Sequence, residues 1–221
     1  MPLVARRIRC RLAPNPRAGE PEPAASAGRA GRSGWTRRGC VLALLLAAPA
    51  LARADEGALL AALGEGRAVA LMRHATAPGT GDPAGFRLDD CTTQRNLSGE
   101  GRAQARATGA RLRAAGMTGA RVYSSQWCRC LETARLLGLG AVTELPALNS
   151  FFGDRAREPR QTAALAAFLR DRPPGAPLIL VTHQVNITAL TNGFARSGEI
   201  VLVALPLADQ PAVLGRIAPP D

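Results

Sequence analysis

The sequence predicts an α/β fold, a three-layer α/β/α arrangement with a mostly parallel sheet between helices on both faces. Three observations carry this. Two short apolar runs, Val69–Met72 and Leu178–Thr182, have the length and composition of buried strands. Segments of helical periodicity alternate with such runs from residue 55 onward, the pattern of βα units. Each of the two runs leads into a histidine, His74 after Arg73 in the first and His183 in the second, and the chain has only these two. Open α/β sheets bind ligands beyond the carboxyl ends of their strands, so neighbouring strands would bring both histidines to one edge.

Residues 1–54 stand apart from this pattern. Residues 1–35 are rich in Pro, Gly, Ala and Arg and read as a disordered extension. Residues 36–54 read as an export signal. Arg37 and Arg38 form its charged start, Cys40 to Leu51 its apolar core, and Ala52-Arg53-Ala54 its cleavage site. The core is shorter than the roughly 20 residues of a membrane span. The mature chain, residues 55–221, is then expected in the periplasm or outside the cell, exported by the general or a twin-arginine route, with no stable membrane span of its own. The formal charge is +11, but residues 1–54 hold about +8 of it, with ten Arg against Glu20 and Glu22. Without a dense basic run in the remainder, nucleic acid is not an expected partner.

The mature chain reads in order as follows. Residues 55–65 form a short helix and Val69–Met72 the first strand. Residues 75–97 form a loop punctuated by Pro78, Gly79, Gly81, Pro83 and Gly85, long enough to border a site. Ser98 caps a helix that runs to about Ala115, with Glu100 in its first turn. Arg121–Tyr123 is a strand, and Trp127–Leu137 a helix stopped by Gly138. Residues 141–142 form a short strand, and residues 144–159 are irregular. Gln161–Arg170 is a helix with Ala164, Leu165, Phe168 and Leu169 on one face. Leu178–Thr182 is the second histidine strand, followed by a helix over Val185–Leu190. Ile200–Leu205 and Ala212–Ile217 form a terminal hairpin.

The chemistry follows from the strand ends. Arg73 and Arg129 would add two fixed cations to the two histidines, and arginine forks match phosphate oxygens. Helix starts after Ser125 and His183 could lend backbone N–H donors to the same anion. Arg73 and His74 reach one ligand only if the strand ends or twists between them, because successive residues of a strand face opposite ways. Two histidines without clustered carboxylates make a poor metal site, so no metal and no cofactor is expected. Three cysteines remain after export, Cys91, Cys128 and Cys130. Either Cys91 pairs with Cys128 or Cys130, tying the long loop to the Arg129 helix, or all three pack as small hydrophobes.

Four segments, in order, resemble the histidine phosphatase superfamily, whose fold is phosphoglycerate-mutase-like. RHAT at 73–76 resembles its RHG/RHA signature. NLSGEGRAQA at 96–105 resembles its L-[ST]-x-x-G-x-x-Q-A segment. SSQWCRCLETA at 124–134 resembles S-S-x-x-x-R-x-x-x-T-A, and VTHQVNI at 181–187 resembles the second-histidine segment. The resemblance implies His74 as a nucleophile that becomes a phosphohistidine. It implies that Arg73, Arg129 and His183 bind the phosphoryl group and stabilise the charge of its transition state, with His183 counted as catalytic too. Mutase-type members carry a glutamate where this chain has Ser150, so the proton donor is open. Asp89, Asp90 and Asp154 are its candidates. The expected activity is an exported phosphomonoesterase acting on a phosphorylated small molecule or envelope sugar phosphate. Two alternatives stand beside it, an inactive phosphate-ester binding protein and a protein-phosphohistidine phosphatase.

Overall fold

The computed structural model describes residues 55–172 and 175–220. The expected disordered extension and export signal lie outside these residues. Six strands form one sheet in the order β3-β2-β4-β1-β5-β6. They are β1 (Ala68–Arg73), β2 (Arg121–Ser124), β3 (Val142–Glu144), β4 (Leu178–Thr182), β5 (Ile200–Ala204) and β6 (Val213–Ile217). β3, β2, β4 and β1 pair in parallel, while β5 is antiparallel to both β1 and β6. The terminal hairpin therefore extends the sheet beyond β1.

Among the described residues five α-helices cover the sheet: α1 (Glu56–Gly64), α2 (Gly99–Ala114), α3 (Cys128–Leu137), α4 (Glu158–Arg170) and α5 (Gln184–Thr191). The alternation of side chains along β1 divides the core in two. Ala68, Ala70 and Met72 pack with Leu59 and Leu63 of α1, Leu112 of α2 and Leu137 of α3. Val69 and Leu71 face the other way, onto Leu165 and Leu169 of α4 and Ile187 and Leu190 of α5. β1 and β4 are buried on both faces, which is why they read as unbroken apolar runs. Truncating a fully buried leucine such as Leu71 or Leu180 to alanine costs about 2–5 kcal/mol in such a core.

Local chemistry sets the element ends. Ser98 Oγ accepts from Gly101 N at 3.0 Å and caps α2. Gly138 closes α3 in the left-handed region at φ 62°. α4 starts at Glu158, three residues before the expected Gln161. Pro159 sits in its first turn, where its missing N–H costs nothing, so the proline opens the helix instead of preceding it. The stretch before it, expected as irregular, contains 3₁₀ turns at Pro146–Leu148 and Arg155–Arg157. Among the described residues no helix is long and apolar enough to cross a membrane.

Candidate active site

β1 and β4 are adjacent and in register, with Arg73 opposite Thr182. One residue further, each strand gives way to its histidine. β1 ends at Arg73, so His74 is freed from strand alternation and turns toward the same cavity. His74 N still donates to Thr182 O at 2.9 Å, and Gly198 N reaches both Arg73 O and His74 O at 3.1 Å. The next residues are tied to the helices. Ala75 N donates to Thr133 Oγ1 on α3 at 3.1 Å, and Thr76 N to Gln104 Oε1 on α2 at 3.1 Å. The nucleophile candidate is thus held from both sides.

His74 and His183 are buried, 2% and 4% exposed. The Nδ1 of His74 lies 2.8 Å from Ala75 O. A carbonyl can only accept, so Nδ1 carries the proton and Nε2 keeps its lone pair. Burial first, and then the charge of Arg129, lowers the His74 pKa to about 3. Burial and His74 push His183 in the same direction. Both imidazoles are neutral at pH 7, as an attacking nitrogen must be. His183 Nε2 lies 2.8 Å from Ser125 Oγ, while its Nδ1 faces Arg129 Nη2 at 3.5 Å. Ser125 Oγ also lies 3.3 Å from Asn149 Oδ1, so the second histidine is oriented by a buried polar chain.

Both histidines line a cavity of about 650 Å³, together with Arg73, Arg95, Arg129 and Arg157. Asp82 and Asp154 are the carboxylates of that lining. Four guanidinium groups around two carboxylates leave a positive surplus suited to an anion. Burial and Arg129 lower the pKa values of Arg73 and Arg95. Arg73 Nη1 donates to Ala195 O at 2.9 Å, and its buried Nε has no hydrogen-bond partner among the described residues. Phe86, Trp127, Phe152 and Phe194 form aromatic walls around these charges. Phe152 and Phe194 are 54% and 66% exposed, so they stand at the open side.

Several placements differ from expectation. The backbone amides leading into α3 already have partners within the protein. Gln126 N donates to Asn149 Oδ1, Trp127 N to Ser125 Oγ and Cys128 N to Gln94 Oε1. Asp89 and Asp90 do not line the cavity. Asp90 caps the 3₁₀ turn Cys91–Thr93, accepting from Thr92 N at 3.0 Å, and pairs with Arg87. Asp89 is exposed and lies 3.9 Å from Arg87. Asp154 is at the cavity but exposed. Ser150, where a glutamate stands in mutase-type relatives, lines the cavity too, and its Oγ accepts from Phe152 N at 3.2 Å.

The site also holds the side chains of Asp82, Arg95, Ser125 and Trp127, which are not among the expected site residues. Arg129, 2% exposed, gives both arms of its fork to Asp82, at 2.6 and 3.1 Å. Arg95 folds back onto its own loop, donating to Ala77 O and Gly81 O. Its only sequence signal is its place three residues before the Ser98 cap. Cys91 and Cys128 form a disulfide with Cα atoms 5.6 Å apart, and Cys130 is free and buried. The Cys130 thiol packs 3.4 Å from His183 Nε2, and burial pushes its pKa up to about 12. Among the described residues no group of three or more His, Cys, Asp or Glu gathers as a metal site.

Residues 69–154 match the model of the histidine phosphatase superfamily, branch 1. The matched stretch holds RHAT at 73–76, the 96–105 segment and the Arg129 segment. Its fold is similar to that of the protein histidine phosphatase SixA, solved with tungstate, at 19% identity and a TM-score of 0.50, covering 68% of this chain and 96% of that one. A mycobacterial glucosyl-3-phosphoglycerate phosphatase is similar at 19% identity and a TM-score of 0.47, covering 64% of this chain and 91% of that one. Among curated proteins, none matches this sequence. The match ends before the second histidine segment, which the sheet register brings beside the first.

Proposed function

We propose that the protein is an exported phosphomonoesterase that hydrolyses a small phosphorylated molecule or an envelope sugar phosphate through a phosphohistidine on His74. The observation that carries this is the neutral His74, its Nε2 lone pair free, beside Arg73, Arg129 and His183 in one cavity. Nε2 attacks phosphorus as the bond to the leaving oxygen breaks. Water then attacks phosphorus, the N–P bond breaks, and phosphate departs. Phosphoryl transfer depends mainly on positioning and charge; the arginines supply the charge and the neutral His183 ring helps to position the phosphoryl group.

The substrate class rests on the walls. Phe152 and Phe194 offer exposed rings beside the cationic floor, and the apolar face of a sugar ring packs well on such surfaces. Export rests on residues 36–54, and protein recovered from a cell-envelope fraction should begin at Asp55. A mature protein found in the cytosol with residues 1–35 attached would refute it.

The mechanism is tested by brief mixing with a ³²P-labelled substrate, chosen from a screen of sugar phosphates on the purified protein. Alkaline denaturation preserves phosphohistidine and acid destroys it. Alkali-stable label should appear on the peptide containing His74, and His74→Ala should lose both label and turnover. Turnover surviving in that variant would remove the covalent mechanism. Phosphate-ester binding without label or turnover across the screen would favour an inactive binding protein.

A further inference from the structure

Of the two carboxylates lining the cavity, Asp154 is exposed and Asp82 is not. The Asp82 side chain is 8% exposed and receives four hydrogen bonds. Arg129 Nη1 donates at 2.6 Å, Arg129 Nη2 at 3.1 Å, Trp127 Nε1 at 3.0 Å and Arg95 N at 3.1 Å. A carboxylate therefore occupies the fork of an arginine that, in the covalent reading above, must grip the phosphoryl group. The loop is built to put it there. Gly79 and Gly81 turn the chain at φ 87° and 71°, Arg95 ties down Ala77 and Gly81, and the Cys91–Cys128 bridge fixes the far end to α3.

A dianionic phosphate ester that engages the same fork meets a buried carboxylate at close range. Two like charges so placed do not both stay fully ionised, and the pair holds a shared proton. We propose that Asp82 is the general acid of the reaction: the substrate draws Arg129 from Asp82, and Asp82 takes up a proton and delivers it to the leaving oxygen. As the Nε2–P bond forms and the ester P–O bond breaks, the Asp82 proton moves to that oxygen and a neutral alcohol departs. The carboxylate then takes a proton from the attacking water as the O–P bond forms and N–P breaks. The sum is one water consumed and one alcohol and one phosphate released. The proposal rests on the covalent reading of the preceding subsection.

The resting charge state is consistent with this cycle. Charged and titratable groups coupled to Asp82 are Arg129 and Cys130 on α3 and Arg95 on its own loop. Burial pushes the Asp82 carboxyl up, but the bonds and charge of Arg129, with those from Arg95 and Trp127, hold it below the usual carboxylate value. The acid form is thus produced by the substrate and not carried by the free protein.

The test compares Asp82→Asn with the unaltered full chain on two esters. p-Nitrophenyl phosphate releases a stable phenolate that needs little proton help, whereas glycerol 2-phosphate must release an alkoxide. General-acid catalysis is worth about 10²–10⁴-fold, so the loss of kcat on glycerol 2-phosphate should exceed that on p-nitrophenyl phosphate by about 100-fold. Equal losses on both esters would make Asp82 a positioning residue for Arg129 and overturn the proposal, as would no loss on either. Should the variant not fold, the unaltered protein decides. Its kcat on glycerol 2-phosphate should fall with rising pH while that on p-nitrophenyl phosphate holds, and parallel profiles would overturn the proposal. Failure of the His74 label would instead strike the covalent reading, which this comparison of leaving groups does not measure.

Discussion

The imidazole of His183 meets that of His74 edge to face, with ring centroids 5.5 Å apart and an interplanar angle of 68°. Trp127 also meets His183 edge to face, with centroids 5.3 Å apart at 77°. Neither histidine has a carboxylate partner among its described contacts, so a proton on either is opposed by burial and by the arginines.

Acid should therefore unfold the protein early. Burial holds the pKa of folded His74 at about 3, against 6.5 for the free imidazole. Between those values the unfolded chain binds more protons, so stability is complete above about pH 6.5 and declines as pH falls, by up to ~1.4 kcal/mol per pH unit for His74. His183, shifted in the same direction, steepens the slope. Urea midpoints measured from about pH 7.5 down to about pH 5 should fall steadily. A flat series would mean that the rings are protonated in the fold.

Arg129→Lys should lose at least about 100-fold in kcat/KM while circular dichroism stays unchanged, the size seen when one transition-state donor is lost. Lysine offers a point charge where Arg129 spans two oxygens with its fork, and one ammonium cannot replace that geometry. Near-normal turnover in the variant would assign Arg129 to structure alone.

Cys91→Ser should lower both stability and activity. The bridge closes a loop with a sequence separation of 37. Loops of that order give about 4 kcal/mol in the chain-entropy model, a figure that native strain commonly reduces. The freed segment holds Asp82 and Arg95, so kcat/KM should drop further than the thermal midpoint alone explains. Equal activity with and without the bridge would show that the other loop contacts suffice.

Gly101→Ala and Gly99→Ala should behave in opposite ways. A Cβ on Gly101 would stand 2.0 Å from Thr76 O, the carbonyl two residues after His74, whereas a Cβ on Gly99 meets nothing within 4 Å. The first change should cost about 1–3 kcal/mol and displace the nucleophile's support. The second should be neutral or slightly stabilising, by at most about 1 kcal/mol. Chemical denaturation of the pair checks both, and equal midpoints would contradict the packing.

How much of this was legible in the sequence depended on range. The buried strands were, because burial on both faces leaves an unbroken apolar run, and Leu178–Thr182 keeps the same bounds in the fold. Local caps such as Ser98 and Gly138 were legible for the same short-range reason. Asp82 was not. Its four donors come from Arg95, Trp127 and Arg129, and only a folded, glycine-turned loop brings a carboxylate among them. The partners of the amides leading into α3 were hidden for the same reason, since Asn149 and Gln94 reach Gln126 N and Cys128 N from elsewhere in the chain.

The register of Arg73 opposite Thr182 also bears on how this protein can diversify. The spacing between the two histidines is inherited from the pitch of the sheet, whereas the rings at the mouth come from separate connections carrying Phe152 and Phe194. Selection can rewrite those connections one at a time without recalibrating the reacting nitrogen. Chemistry and appetite are thus separately heritable in this chain.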